Sequence, residues 1–115
     1  MLQLLEEFKT QVNDNAHIQR IVKGWNTDVL LEESDSKSRY RLAIEDGKIQ
    51  EVQVCEPNTS FDCTMRIIGD SVIMQGLFAG RVNGIRANNE GLLSIYGPMN
   101  DQVKLDAIAL ILWGL

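Results

Sequence analysis

Leu2, Leu5, Phe8 and Val12 recur along the start of the chain at helical spacing, with Glu6, Glu7 and Lys9 between them. Apolar residues three and four apart share one helix face, so this stretch predicts an amphipathic helix with a single buried stripe. Asn13-Asp14-Asn15 interrupts the stripe, and Asp14 or Asn15 can cap a short second helix running to Val22. The period then shortens to two. Trp25, Thr27, Val29 and Leu31 share a face, and Tyr40, Leu42 and Ile44 alternate with Arg39, Arg41 and Glu45. The second run meets Asp46-Gly47, a pair suited to the two positive-φ positions of a type I′ turn, so KIQEVQV should return antiparallel. The polar stretch ESDSKS between the first two runs predicts a hairpin there as well. After the turn-like EPNTS, a fourth strand alternates Phe61, Cys63, Met65 and Ile67 against Asp62, Thr64 and Arg66. These strands are expected to form an antiparallel sheet with one apolar face.

From Asp70 the helical period returns. Asp70 or Ser71 can cap a helix carrying Val72, Ile73, Met74, Leu77 and Phe78, with breaks expected near Gly80 and Gly84 because glycine is costly inside helices. A short strand, Leu92 to Tyr96, ends at Gly97-Pro98, and a last helix begins at Met99 or Asn100. Its end, LDAIALILWGL, carries no charge after Asp106. The run is too short for a membrane span, which needs about 20 apolar residues. It is equally unlike a surface helix, since Ile108, Ala109, Leu110, Ile111 and Leu112 cover every side of a turn. Such a helix calls for apolar neighbours all round: sheet and helices on one side, a guest or a second subunit on the other.

Length and charge narrow the function. The 115 residues suit one domain, 1–115, and apolar and charged fractions of 44% and 23% are those of a folded protein, which argues against disorder. A net charge of -5 with scattered lysines and arginines gives no footprint for nucleic acid. The acidic start of MLQLLEEFK is unlike a secretory signal, so a cytoplasmic location and two reduced thiols, Cys55 and Cys63, are expected. His17 is the sole histidine and lies in a polar stretch, no nucleophile motif accompanies it, and GRVNGIRANNEG lacks the lysine of a phosphate loop. No catalytic residues, cofactor or metal ligands are expected, and the chain reads as a non-enzyme. Met65, Met74, Met99, Leu77, Phe78, Leu92, Leu93 and Ile95 suit either an adaptable apolar pocket or a plainly filled core.

One long stretch carries a resemblance: FDCTMRIIGDSVIMQGLFAGRVNGIRANNEGLLSIYGPMNDQVKL. With Gly80-Arg81-Val82-Asn83, Ala87, Gly91, Leu93, Ile95, Gly97, Met99 and Lys104-Leu105 in register, it resembles the sterol-binding domain of the sterol carrier protein type-2 family. The element order of the first half fits as well, so the resemblance spans essentially the whole chain. It implies an α+β fold, a five-stranded, largely antiparallel sheet covered by helices, with an apolar cavity between them. The implied function is non-enzymatic binding, and by extension transfer, of a lipid or fatty-acyl ligand, with transient membrane contact. Met74, Leu77, Phe78, Ile95, Ala107, Ile108, Ile111 and Leu112 are the expected wall residues, and Arg81, Arg86 and Asn88 the candidates for a headgroup. Gly84 replaces a favoured proline, Leu92 a common lysine, and Asn88-Asn89 the bulky residues usual there. The two amides favour a single-chain lipid over a rigid sterol. The alternative is an interaction or accessory module of the same fold, dimerising through its apolar helices without a lipid.

Overall fold

A computed structural model describes residues 1–57 and 62–115. The chain runs α1 (Leu2–Asn13), α2 (Ala16–Ile21), β1 (Thr27–Glu33), β2 (Arg39–Glu45), β3 (Lys48–Cys55), β4 (Met65–Gly69), α3 (Ser71–Ala79), α4 (Gly84–Asn89), β5 (Leu93–Tyr96) and α5 (Met99–Trp113). The turn expected within EPNTS and the strand position of Phe61 lie in part or wholly outside the described residues.

Local chemistry starts and stops these elements where the pattern changes. Asn15 caps α2 by accepting from the Ile18 N–H at 3.0 Å, and Asp70 caps α3 by accepting from the Ile73 N–H at 3.0 Å. Asp46 (φ 50°) and Gly47 (φ 75°) both take positive φ in the β2–β3 hairpin, the conformation that a type I′ turn requires. Gly47 is needed twice over, since a Cβ there would meet the Val22 carbonyl oxygen at 2.5 Å. Asn13 does more than interrupt a helix. Its side chain donates to the Ile49 carbonyl (2.9 Å) and accepts from the Ile49 N–H (2.8 Å), occupying a peptide on the outer edge of β3.

The sheet order is β3-β2-β1-β4-β5. β1–β2, β2–β3 and β4–β5 are antiparallel, whereas β1 and β4 are parallel, with Val29 opposite Met65 and Leu31 opposite Ile67. The expectation of antiparallel pairing among the first four strands is therefore corrected at one seam. The reason is topological: two hairpins leave β3 running the same way as β1, and the chain then crosses over to the free side of β1, where a crossover keeps the strand direction and β4 lies parallel to β1. The arriving chain is tied down by the Thr64 N–H, which donates to Asp28 Oδ1 at 3.0 Å.

The helices cover the face bearing Val29, Leu31, Leu42, Ile44, Met65 and Ile67. There Leu5, Phe8 and Val12 of α1, Ile18, Val22, Met74, Phe78 and Ile108 complete one core. Leu2, although on the α1 stripe, is exposed at its end. The opposite face is mostly charged or polar, with Ala43, Cys55 and Ile68 among the exceptions, and at its centre buried Leu30 is flanked in register by Arg41 and Arg66. Those arginines pair with Asp28 (3.1 Å) and Glu32 (3.0 Å). Cys55 and Cys63 are free, and burial pushes both thiols up.

Candidate functional site

Where α3, α4, β5 and α5 meet, the core is incomplete. A cleft of about 260 Å³ opens there, lined by Leu77 and Phe78 of α3, Gly84, Ile85 and Asn88 of α4, and Ile95 of β5. Met99, Gln102, Leu105, Asp106, Ile108 and Ala109 of α5 form the facing wall, and Phe8 and Ile67 close the site. A roomier hollow of about 370 Å³ lies at the far end of β1, bordered by Glu32, Glu33, Lys37, Arg39 and Arg66. Glu32 there is already engaged by Arg39 (3.4 Å) and Arg66 (3.0 Å), which leaves the smaller, apolar cleft as the better ligand site.

The helix over the cleft, α5, is fastened near its two ends. At the first turn, Asp101 is buried (7% exposed) and accepts from Trp25 Nε1 at 2.9 Å and from the Thr27 hydroxyl at 3.1 Å. A carboxylate near a helix N-terminus also meets the positive end of the helix dipole. At the last turn, the Trp113 ring stacks on Phe8 with centroids 5.9 Å apart, and Phe8 meets Phe78 edge-on at 5.1 Å. Trp113 also lies across Gly80, which ends α3 in the left-handed region (φ 80°); a Cβ there would come within 2.5 Å of the indole. Asn83 caps α4 through the Arg86 N–H (3.0 Å) and donates to the Leu115 carbonyl at 3.1 Å, holding the chain end in place. Between these attachments, the middle of α5 spans the cleft.

Among the expected wall residues, Leu77, Phe78, Ile95 and Ile108 line this cleft, and so does Asn88 from the headgroup candidates. Met74 is fully buried in the core beneath, while Ile111 and Leu112 pack against that core half-buried, and none of them lines the cleft; nor does Ala107. The lining face of α5 carries residues 102, 105, 106, 108 and 109, roughly one position around the helix from the face 107, 108, 111 and 112. Arg81 is exposed and Arg86 pairs with Glu90 at 3.1 Å, both away from the lining. Sequence reasoning passed over Phe8, Ile67, Ile85, Gln102, Leu105, Asp106 and Ala109 as cleft residues. For Phe8 and Ile67 a signal existed, since both lie on the buried faces that periodicity picked out.

Three polar side chains interrupt the lining. Gln102 is engaged through Nε2 with the Gly97 carbonyl at 2.9 Å. Asn88 and Asp106 make no side-chain hydrogen bond or ion pair with any described residue, and burial raises the Asp106 pKa above its ordinary value of 3.8. Among the described residues, no group of three or more histidines, cysteines or carboxylates is placed to hold a metal ion. His17 is exposed on α2. Nor is any helix of the described residues long and apolar enough to cross a membrane.

A five-stranded, mostly antiparallel sheet with helices on one face and an apolar cleft under the last helix defines the class: an α+β protein of the sterol carrier protein type-2 fold. Solved structures bear this out. Sterol carrier protein-2 like-3 from Aedes aegypti aligns with a TM-score of 0.69 at 11% identity, over 91% of this chain and 92% of its own. Palmitated SCP2L2 from Aedes aegypti aligns with a TM-score of 0.68 at 12% identity, over 92% and 90%. A crystal structure of sterol carrier protein 2 aligns with a TM-score of 0.68 at 15% identity, over 95% and 88%. At such identities the fold is what is shared. No family model matches the chain, and no curated protein sequence matches it.

Proposed function

We propose that the protein binds the apolar chain of a lipid or fatty-acyl ligand, non-covalently, in the cleft beneath α5, and passes it on through transient membrane contact. The observation that carries this reading is the cleft's lining: Leu77, Phe78, Ile85, Ile95, Leu105 and Ile108 surround it, and only three polar side chains interrupt them. Burial supplies the affinity, at about 0.8 kcal/mol per CH₂ before ordering costs. The palmitated neighbour of the same fold supports an acyl chain as cargo. A volume of about 260 Å³ falls just below the range of roughly 300–1,000 Å³ usual for ligand pockets. A single chain suits it better than a fused ring system, and a long chain enters only as the middle of α5 or the exposed Ile85 and Met99 give way.

The reading extends to one lipid-binding domain over 1–115 acting without catalysis, in a cytoplasm where Cys55 and Cys63 stay reduced. Native mass spectrometry of gently purified protein, followed by organic extraction, should find an aliphatic guest. Leu77→Trp, which fills the cleft, should lose it while unfolding cooperatively. A guest retained at full occupancy in Leu77→Trp would rule this cleft out.

A second reading rests on the outer side of α5, where Met99 (70% exposed), Val103 (55%) and Leu110 (62%) face solvent. The expectation of apolar neighbours all round this helix is not met within one chain. Self-association through this side would bury the stripe. Sedimentation of wild type beside Leu110→Glu separates the readings: a dimer that dissociates in the variant, with no lipid in either, favours the interaction module.

A further inference from the structure

The cleft has a chemical polarity that its apolar lining does not reveal. Among the described residues its only charged lining residue is Asp106, with Asn88 and Gln102 as the other polar groups. Among the described residues no lysine, arginine or histidine lines it, and the basic residues on α4 and α5 are engaged elsewhere: Arg86 with Glu90 and Lys104 with Asn100 Oδ1 at 3.2 Å. Asp106 sits half-buried, one helical turn from Gln102, with neither a hydrogen bond nor an ion pair to any described residue. A carboxylate in apolar surroundings is costly when unpaired and gains most from a partner that brings its own donors and positive charge. A fatty-acid anion would bring a second negative charge into the same space.

We propose that Asp106 is the headgroup determinant of the cleft, selecting an apolar chain that ends in a cationic, hydrogen-bond-donating head such as a long-chain ammonium over one that ends in a carboxylate. This rests on the reading of the cleft as a lipid site and specifies the chemistry of its ligand. Asn88, on the facing helix, offers both an amide donor and an acceptor to the remainder of the head. The raised pKa of Asp106 marks the desolvation that such a partner would offset.

The test holds chain length constant and changes the head. Dodecylammonium, dodecanol and dodecanoate, each below its aggregation limit, displace a neutral solvatochromic dye from wild type, Asp106→Asn and Leu77→Trp at pH 7. Salt near 0.15 M screens the general attraction of a chain carrying -5 for any cation. A charge-assisted hydrogen bond predicts that wild type binds dodecylammonium about tenfold or more tighter than dodecanoate, with dodecanol between them. Asp106→Asn should lose that factor for the ammonium and leave dodecanol within about twofold. Equal affinities for the three heads in wild type, or tighter dodecanoate, overturn the assignment of Asp106 and leave the cleft standing. Failure of all three to displace the dye, or undiminished binding of all three to Leu77→Trp, overturns the cleft itself. The wild-type ranking decides the matter independently of how well Asp106→Asn folds, and Asp106→Glu should keep the ammonium preference.

Discussion

The two long helices meet the sheet on different terms. α1 presents Leu5, Phe8 and Val12 inward, all buried, and its polar residues outward; it is amphipathic and fills the space it covers. α5 is longer and its second half is apolar on every side, yet only Asp101 and Ile108 are buried in the helix. Leu105, Ile111, Leu112 and Trp113 are half-buried against the core, and Leu110 faces solvent. The contrast shows that hydrophobicity and burial are separable along one chain. A stripe is spent on packing, whereas an apolar helix that stays half-buried marks the place where the fold has kept room.

Substitutions at matched positions test that contrast. Leu5→Ala opens a void in filled core and should cost about 2–5 kcal/mol in urea unfolding, with lipid affinity unchanged in the folded fraction. Asp101→Ala removes a charged acceptor from Trp25 and Thr27 and should cost about 1.5–3 kcal/mol. Unlike Leu5→Ala, it should also weaken lipid binding, because the first turn of α5 is released. Leu105→Ala deletes a side chain already beside open space and should cost about 1 kcal/mol or less. A loss at Leu105 equal to that at Leu5 would erase the distinction between the two helices.

The smallest effect belongs to Asp106 and changes sign relative to the others. Desolvation raises its folded-state pKa, so the native state favours the protonated carboxyl. Its contribution to stability is therefore most favourable below the ordinary value of 3.8 and declines as pH rises through the raised folded value. Asp106→Asn should be slightly more stable than wild type at pH 7, and the gap should close in acid. Among the described residues no other charged group lines the cleft to reverse this trend. Urea midpoints of both proteins across that pH range give the comparison; a wild type more stable at pH 7 would contradict a penalised carboxylate.

The local order of elements was legible because each boundary has a local cause. Asn15 and Asp70 cap, Asp46-Gly47 turns and Gly80 stops a helix, each through chemistry confined to a few neighbouring residues. The parallel seam between β1 and β4 has no such local cause: the crossover decides it, and alternation reads the same in either direction. The cleft was half legible. Leu77 and Phe78 lie on the helical stripe that periodicity picked out, whereas Ile95 and Ile108 were expected from the family resemblance. The rotation of α5 was hidden, because a helix apolar all round offers no pattern to say which face turns inward. Asp106 falls on that inward face. In the sequence it looked only like the last charge before a greasy end.

The fastening of α5 has an optical consequence. The chain has two tryptophans: Trp25 bonds to Asp101 beneath the first turn of that helix, and Trp113 stacks on Phe8 at its last. The indoles thus sit at opposite ends of the same span, one on a carboxylate and one on an aromatic ring. Their emission forms a natural two-point gauge: Trp113→Phe leaves a protein whose fluorescence follows the N-terminal anchorage alone, while Trp25→Phe reports the C-terminal anchorage in a chain whose first turn has lost its indole donor. With these two proteins, the end of the helix that lifts first when a guest enters becomes visible without any attached dye.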